Sequence, residues 1–355
     1  MSQPSHVISW PDRLVAWHAT HGRHDLPWQR TRDAYRIWLS EIMLQQTQVA
    51  TVIPYYERFV ACFPDVATLA AATIDDVLPY WAGLGYYRRA HHLHAAAQAV
   101  MRDHGGTFPT EAATLQMLPG IGRSTAAAIA AFARGERNAI LDGNVKRVLA
   151  RHAGVDGYPG EPRVAARLWD VASERMPSHD IEPYTQAMMD LGATVCTRSR
   201  PRCDACPVAG DCVALRERRI GELPSPRPRK PLPQRETVAL MIERGGAILF
   251  ERRPSTGIWA GLWSLPEVPR DDDIASTLRA RFGVDARVTE KLAPVAHAFT
   301  HYALTIHPRR VAVSSWPARA EAPGLVWLTP EDVRTAALPA PIRRIVAALD
   351  DLAAG

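Results

Sequence analysis

The sequence predicts two dissimilar domains, an all-α domain over residues 1–215 and an α+β domain over residues 237–355. Three observations carry the division. Alanine-rich apolar segments recur at helical spacing between residues 10 and 215, with no alternating stretch of any length among them. A basic, proline-rich segment then breaks the pattern. After it come short runs of β-branched and aromatic residues, the pattern of strands. A chain of 355 residues has room for two or three such cores, and its 47% hydrophobic and 22% charged content is ordinary for a soluble globular protein.

Taken in order, residues 1–12 lack the apolar core of a signal peptide, and no later run is long enough to span a bilayer. Helices are predicted over 14–20, 35–56, 66–81, 88–102, 112–118, 124–134, 144–152 and 164–175. Thr73 and Asp76 have the spacing of a capping box, with Asp in place of the usual Glu. Gly83, Gly85, Gly105, Gly106 and Gly154 close helices or turns. Residues 216–236 hold five prolines and seven basic against three acidic side chains, a stiff basic linker. Strands are predicted over 237–242, 247–252, 287–290, 299–307 and 325–328, with helices at 274–282 and 342–352. The net charge of +5 suits a nucleic-acid partner without demanding one. Lys146, Lys230 and Lys291 are the only lysines, so this charge is almost all arginine. Cys62, in an apolar stretch, reads as a buried thiol. The setting expected for the chain is the reducing cytosol.

The other four cysteines fall within residues 196–212, spaced C-x6-C-x2-C-x5-C. So short a loop holds no core, and a metal centre is expected to order it. Zinc on four thiolates and an iron–sulfur cluster both suit the spacing, which does not separate them. A pair of disulfides is the third option, against which a reducing setting argues. Arg198, Arg200 and Arg202, between the first two cysteines, suit a polyanion, though a solvated basic loop around a structural zinc explains them nearly as well. Between two helical segments stands Leu118-Pro119-Gly120-Ile121-Gly122. Its glycines allow a tight turn with positive φ, and the backbone N–H groups opening the next helix suit a phosphate; the plainer reading is a bare helix connection. Asp142 reads as the N-cap of helix 144–152, and can serve as that while still pointing a carboxylate into a cleft. Glu41, Gln45 and Gln48 fall at i, i+4 and i+7, a polar stripe on a largely apolar helix. The plainer reading of Glu41 is an acidic side chain in a first helical turn, favoured by the helix dipole.

A helix–hairpin–helix at about 112–134, an aspartate just after it and this cysteine loop resemble the endonuclease III superfamily of base-excision DNA glycosylases. Leu26-Pro27-Trp28 and residues 40–49, 83–87, 118–125, 141–149 and 186–192 narrow the resemblance to its adenine-specific members. The combination is specific although each part alone is not. The resemblance implies a [4Fe–4S] cluster on Cys196, Cys203, Cys206 and Cys212. It implies a monomer acting on double-stranded DNA, removing adenine opposite 8-oxoguanine or guanine, in the cytoplasm and on the nucleoid, with no membrane partner. Adenine leaves easily only once a ring nitrogen is protonated, which needs a carboxyl raised above the roughly 4.3 of free glutamate; Glu41 is assigned that role. Asp142, kept ionised, offsets the charge that develops on the sugar, the logic of glycoside hydrolases, and Asn144 helps orient the site. A base inside a duplex must be turned out to be reached. Gln46 and Tyr86 match positions that insert beside it; Trp28, Gln29 and Gln186 match the adenine pocket; Gly120, Gly122 and Ser124 belong to the hairpin on the DNA backbone.

Ser124 departs from strand-cleaving members of the superfamily, which carry a lysine there that forms a Schiff base. Serine forms none, so an essentially monofunctional glycosylase is expected, with Lys146, the only lysine near the site, leaving room for weak lyase activity. The C-terminal domain resembles the Nudix fold, 261–267 being similar to the start of its motif. Residues 276–283 lack the glutamates that would hold Mg²⁺, so recognition rather than nucleotide hydrolysis is expected. Phe299, Thr300 and His301 match a turn that detects 8-oxoguanine, Thr300 keeping the hydroxyl of the commoner serine. A glycosylase for oxidised pyrimidines or mismatched thymine is the alternative within the superfamily, disfavoured by Ser124 and the extra domain. A non-enzymatic DNA-binding protein is disfavoured by the pair Glu41 and Asp142, and a nucleotide hydrolase by the missing glutamates.

Overall fold

A computed structural model of the protein describes residues 9–228, 231–254, 256–313, 316 and 324–353. Residues 1–8 and, in the linker, Arg229 and Lys230 lie outside the described residues. The chain forms two compact units, one of residues 1–72 and 91–229, the other of residues 73–90 and 230–355. The second unit thus takes in residues 73–90, which the helical pattern alone groups with the first. No helix among the described residues is long and apolar enough to cross a membrane.

Helices follow one another as α1 (Trp10–His21), α2 (Ala34–Leu44), α3 (Val49–Cys62), α4 (Val66–Ala71), α5 (Ile74–Trp81), α6 (Arg88–Asp103), α7 (Ala112–Leu115), α8 (Arg123–Arg134), α9 (Gly143–Ala153), α10 (Pro162–Glu174), α11 (Ile181–Asp190) and α12 (Val213–Arg216). Side-chain caps start several of them: Ser9 for α1, Asp33 for α2 and Asp142 for α9. Left-handed Gly135 and Gly154 end α8 and α9. In the first unit, apolar faces of α1, α8, α9, α10 and α11 share a core that includes Leu14, Ala128, Val148, Leu168 and Ala187. Side chains buried like these each contribute roughly 1.5–3 kcal/mol if large. Ala126 to Ala131 of α8 are small or apolar and all buried, which lets α2 and α11 pack closely on it.

Three expectations change. The segment 35–56 is two helices, broken at Gln45 to Gln48, where Gln46 adopts φ 59°. The segment 66–81 is also two, parted where Thr73 and Asp76 form the expected capping box. Helix α11 was absent from the apolar pattern.

In the second unit, β1 (Gln234–Arg244) and β2 (Ala247–Arg252) form a hairpin over Gly245 and Gly246, whose φ of 56° and 80° suit a two-residue turn. There follow β3 (Trp263–Ser264), β4 (Glu267–Val268), α13 (Ile274–Phe282), β5 (Ala286–Lys291), β6 (Val295–Ala298), β7 (Ala303–Val313), β8 (Leu325–Leu328), α14 (Pro330–Thr335) and α15 (Ala340–Ala353). The mixed sheet runs β3-β2-β1-β7-β5, with β4 on β1, β6 on β7 and β8 on β2. Strand β1 is parallel to β7, Gln234 opposite Ala303 and Ile242 opposite Val311. Its residues 238–242 are buried without alternation, as a strand covered on both faces requires. The expected strand 299–307 is instead the turn between β6 and β7 followed by the start of β7. Phe299 N–H closes that turn on the Tyr302 carbonyl at 2.8 Å.

Candidate active site

Glu41 lies in the last turn of α2, not a first turn, so the helix dipole opposes its negative charge. It is half-buried in the wall of a cavity of about 440 Å³, within the range of small-molecule pockets. Burial raises its carboxyl from 4.5 to about 8, and the charge of Asp142 adds to the rise. At neutral pH the side chain therefore carries a proton that it can give. Asp142 caps α9, accepting the Val145 N–H at 2.7 Å. Burial raises this carboxyl too, while that bond, the Asn144 N–H and the cations of Arg147 and Lys146 draw it back down. Both carboxyls are raised, but only Asp142 has hydrogen bonds and cations opposing the rise, an asymmetry that suits Glu41 to the acid role.

The break after α2 removes the polar stripe as such. Gln45 ends α2 and Gln48 precedes α3, so neither shares a continuous helical face with Glu41. Gln45 Nε2 donates to Thr125 Oγ1 of α8 at 3.4 Å, and Gln46 is exposed in left-handed backbone. Such backbone is costly for glutamine and is found where function demands it. Ser124 has a task the sequence did not reveal. Its Oγ accepts the N–H of Leu141 at 2.8 Å and so fixes the residue before Asp142. Asn144 Oδ1 accepts from Arg147 Nη2 at 2.9 Å, and the same guanidinium reaches the carbonyls of Gly192 at 2.6 Å and Cys196 at 2.7 Å. This joins the helix of Asp142 to the cysteine loop.

Trp28, on a short turn (Pro27–Arg30), is buried edge-to-face against Tyr56, ring centres 5.4 Å apart. Gln29 lines the cavity, but both ends of its amide are engaged: it accepts from Leu26 N–H at 3.1 Å and donates to the Arg23 carbonyl at 2.9 Å. These two bonds fix it in the wall and leave one amide hydrogen and one oxygen lone pair unused. Gln186 faces the same cavity from α11. At the hairpin, Gly120 has φ 79°, and a Cβ there would stand 2.7 Å from that of His92. Gly122 differs from expectation: its φ is −88°, it caps α8, and a Cβ there would meet nothing.

The four cysteines, none in a disulfide, converge on one cavity walled by Val148, Leu191, Val195 and Val208. Burial first, then the neighbouring sulfur charges, pushes Cys203 and Cys212 up and Cys206 to about 11. Four cysteine sulfurs brought to one cavity are a donor set that fits a metal centre held by thiolates. Among the described residues no three His, Cys, Asp or Glu side chains are grouped as ligands of a single ion. The sequence also missed Arg151, buried in α9. It donates to the carbonyls of Leu223, Thr197 and Arg198 at 2.8, 2.7 and 3.0 Å, and to Cys196 Sγ at 3.4 Å.

In the second unit, Tyr86 and Phe299, Thr300 and His301 line one cavity of about 680 Å³ with Trp259. Tyr86 is 46% exposed at φ 49°, a second expected inserting residue in left-handed backbone. Trp259 packs on Phe299 with ring centres 5.4 Å apart. Helix α13 carries no acidic side chain.

Residues 39–174 match the family described as HhH-GPD superfamily base excision DNA repair protein, and residues 237–348 match the NUDIX domain. The chain is 35% identical to the adenine DNA glycosylase of Buchnera aphidicola subsp. Acyrthosiphon pisum, over 83% of this chain and 84% of that one. It is 34% identical to the adenine DNA glycosylase of Homo sapiens, over 96% of this chain and 73% of that one. Among solved structures, a thermostable thymine-DNA glycosylase is similar over 58% of this chain and 95% of its own, with TM-score 0.54 and 27% identity. An endonuclease III–DNA complex shares the fold at TM-score 0.50 and 19% identity, over 59% of this chain and 94% of its own.

Proposed function

Because the chain belongs to the adenine DNA glycosylases of base excision repair, we propose that its substrate is adenine paired with 8-oxoguanine or guanine, released without strand cleavage. The observation that carries the mechanism is the Glu41 carboxyl held at about 8 beside Asp142. Glu41 gives its proton to a ring nitrogen of the extruded adenine, and the electrons of the N-glycosidic bond leave with the neutral base. Asp142, ionised, faces the positive charge left on the sugar. Water then adds to that carbon, and its proton returns to Glu41. Ser124 holds the backbone just before Asp142, and Asn144 ties its side chain to Arg147.

Trp28, Gln29 and Gln186 line the adenine site, while Gln46 and Tyr86 fill the gap left in the duplex. The hairpin at Gly120, Gly122 and Ser124 sets backbone N–H groups on a phosphate. Phe299, Thr300 and His301 read the 8-oxoguanine; the absence of acidic side chains from α13 supports recognition over hydrolysis. Cys196, Cys203, Cys206 and Cys212 hold a [4Fe–4S] cluster, which when bound supplies an ordering centre for the loop that presents Arg198, Arg200 and Arg202. The domains are 1–215 and 237–355, joined by the linker 216–236. The protein acts as a monomer on duplex DNA, in the cytoplasm and on the nucleoid.

The test is incubation of purified protein with duplexes carrying adenine opposite 8-oxoguanine, adenine opposite thymine, or thymine glycol, read with and without alkali. Adenine release opposite 8-oxoguanine, with breaks only after alkali, is the expected result. Excision of the oxidised pyrimidine with spontaneous strand cleavage overturns it.

A further inference from the structure

Asp190 closes α11 with no exposed surface. A buried carboxylate persists only where donors surround it. Arg23 supplies its backbone N–H at 2.7 Å and guanidinium bonds at 2.8 and 2.5 Å, and Gln186 donates its Nε2 at 2.9 Å. His18 Nε2 stands 3.4 Å from the second oxygen. Burial pushes the carboxyl up, but the bonds from His18 and Arg23 outweigh it and hold Asp190 below its ordinary value.

An ionised carboxylate accepts hydrogen bonds and gives none. It therefore takes the NH₂ end of the Gln186 amide and leaves the carbonyl oxygen for the cavity that Gln186 and Glu41 both line. Left alone, a glutamine amide can present either end. Adenine carries an amine at its 6-position, where guanine and hypoxanthine carry an oxygen. We propose that Asp190 is a positioning residue: it locks Gln186 as an acceptor for the exocyclic amine of adenine and so sets the enzyme against 6-oxopurines. This rests on the reading of the cavity as the adenine site. Arg23, which also lines it, is held by the same carboxylate, so one buried charge orders two of its walls.

The test is single-turnover excision by the full-length protein, as purified, on duplexes that differ only in the target base: adenine, purine or hypoxanthine opposite 8-oxoguanine. Wild type is expected to favour adenine. Asp190→Asn frees the amide to turn and is expected to raise the hypoxanthine-to-adenine rate ratio about tenfold or more, the size of one mismatched pair of polar groups. Gln186→Met removes the reader but leaves Arg23 on Asp190, and is expected to bring adenine and purine rates together. A ratio unchanged in Asp190→Asn of wild-type melting temperature overturns the proposal. If that variant does not fold, unchanged selectivity in Gln186→Met overturns it instead. No release of adenine by the wild type overturns the adenine reading itself, and this inference with it.

Discussion

Replacing Glu41 by glutamine keeps the shape of the side chain and removes its titration. The folded protein holds this carboxyl at about 8, against an ordinary 4.5, through burial first and the charge of Asp142 second. Between those pH values the folded state keeps a proton that the unfolded chain releases. Stability therefore falls as pH rises through that window, the reverse of a salt-bridged carboxylate. At about 1.36 kcal/mol per pH unit the full span amounts to on the order of 5 kcal/mol, and the part up to pH 7 to on the order of 3 kcal/mol. Glutamine has no charge to desolvate. In thermal denaturation from pH 5 to pH 9, wild type is expected to fall progressively below Glu41→Gln. At neutral pH the gap should reach roughly 6–12 °C, taking about 2–4 °C per kcal/mol. The variant should bind DNA and excise nothing. Melting temperatures that stay parallel across the whole range refute the reasoning, because the carboxyl is then not raised.

Asp142→Asn keeps an oxygen to cap α9, so the fold should persist while excision falls by about two orders of magnitude or more. With one of its two causes gone, the Glu41 carboxyl should also drop below 8, seen as an alkaline limb moved to lower pH. Ser124→Ala leaves the buried Leu141 N–H without its acceptor, a loss of about 1–3 kcal/mol. Its excision rate should fall more than its DNA affinity, and equal losses would argue for a merely structural hydroxyl. Arg151→Met strips the carbonyls of Leu223, Thr197 and Arg198 of their donor; the purified protein should lose iron and visible absorbance together with DNA affinity. Cys203→Ser should do the same, and a colourless yet fully active protein would remove iron from the mechanism.

Local signals were legible. The Thr73–Asp76 box, the Asp142 cap, the strands at 247–252 and 325–328 and the helix at 274–282 all lie where spacing and caps put them. What failed was whatever depended on a polar interior. Helix α11 turns Gln186 and Asp190, four residues apart, inward, so its apolar period is broken there. The break at Gln45 to Gln48 contains neither glycine nor proline, so 35–56 reads as one helix and the end of α2 just after Glu41 goes unseen. Arg147 and Arg151 look like solvated helix surface because their partners, carbonyls of residues 192–198 and 223, are remote in sequence. Strands of two residues, β3 and β4, have no period to detect.

The most direct test of Glu41 as proton donor is the pH dependence of single-turnover adenine release by the wild-type protein. A rate that holds through neutral pH and falls as pH rises through about 8 is the predicted result, since the acid acts only while protonated. A rate already falling between about pH 4 and 5, the range of an ordinary glutamate, would contradict it.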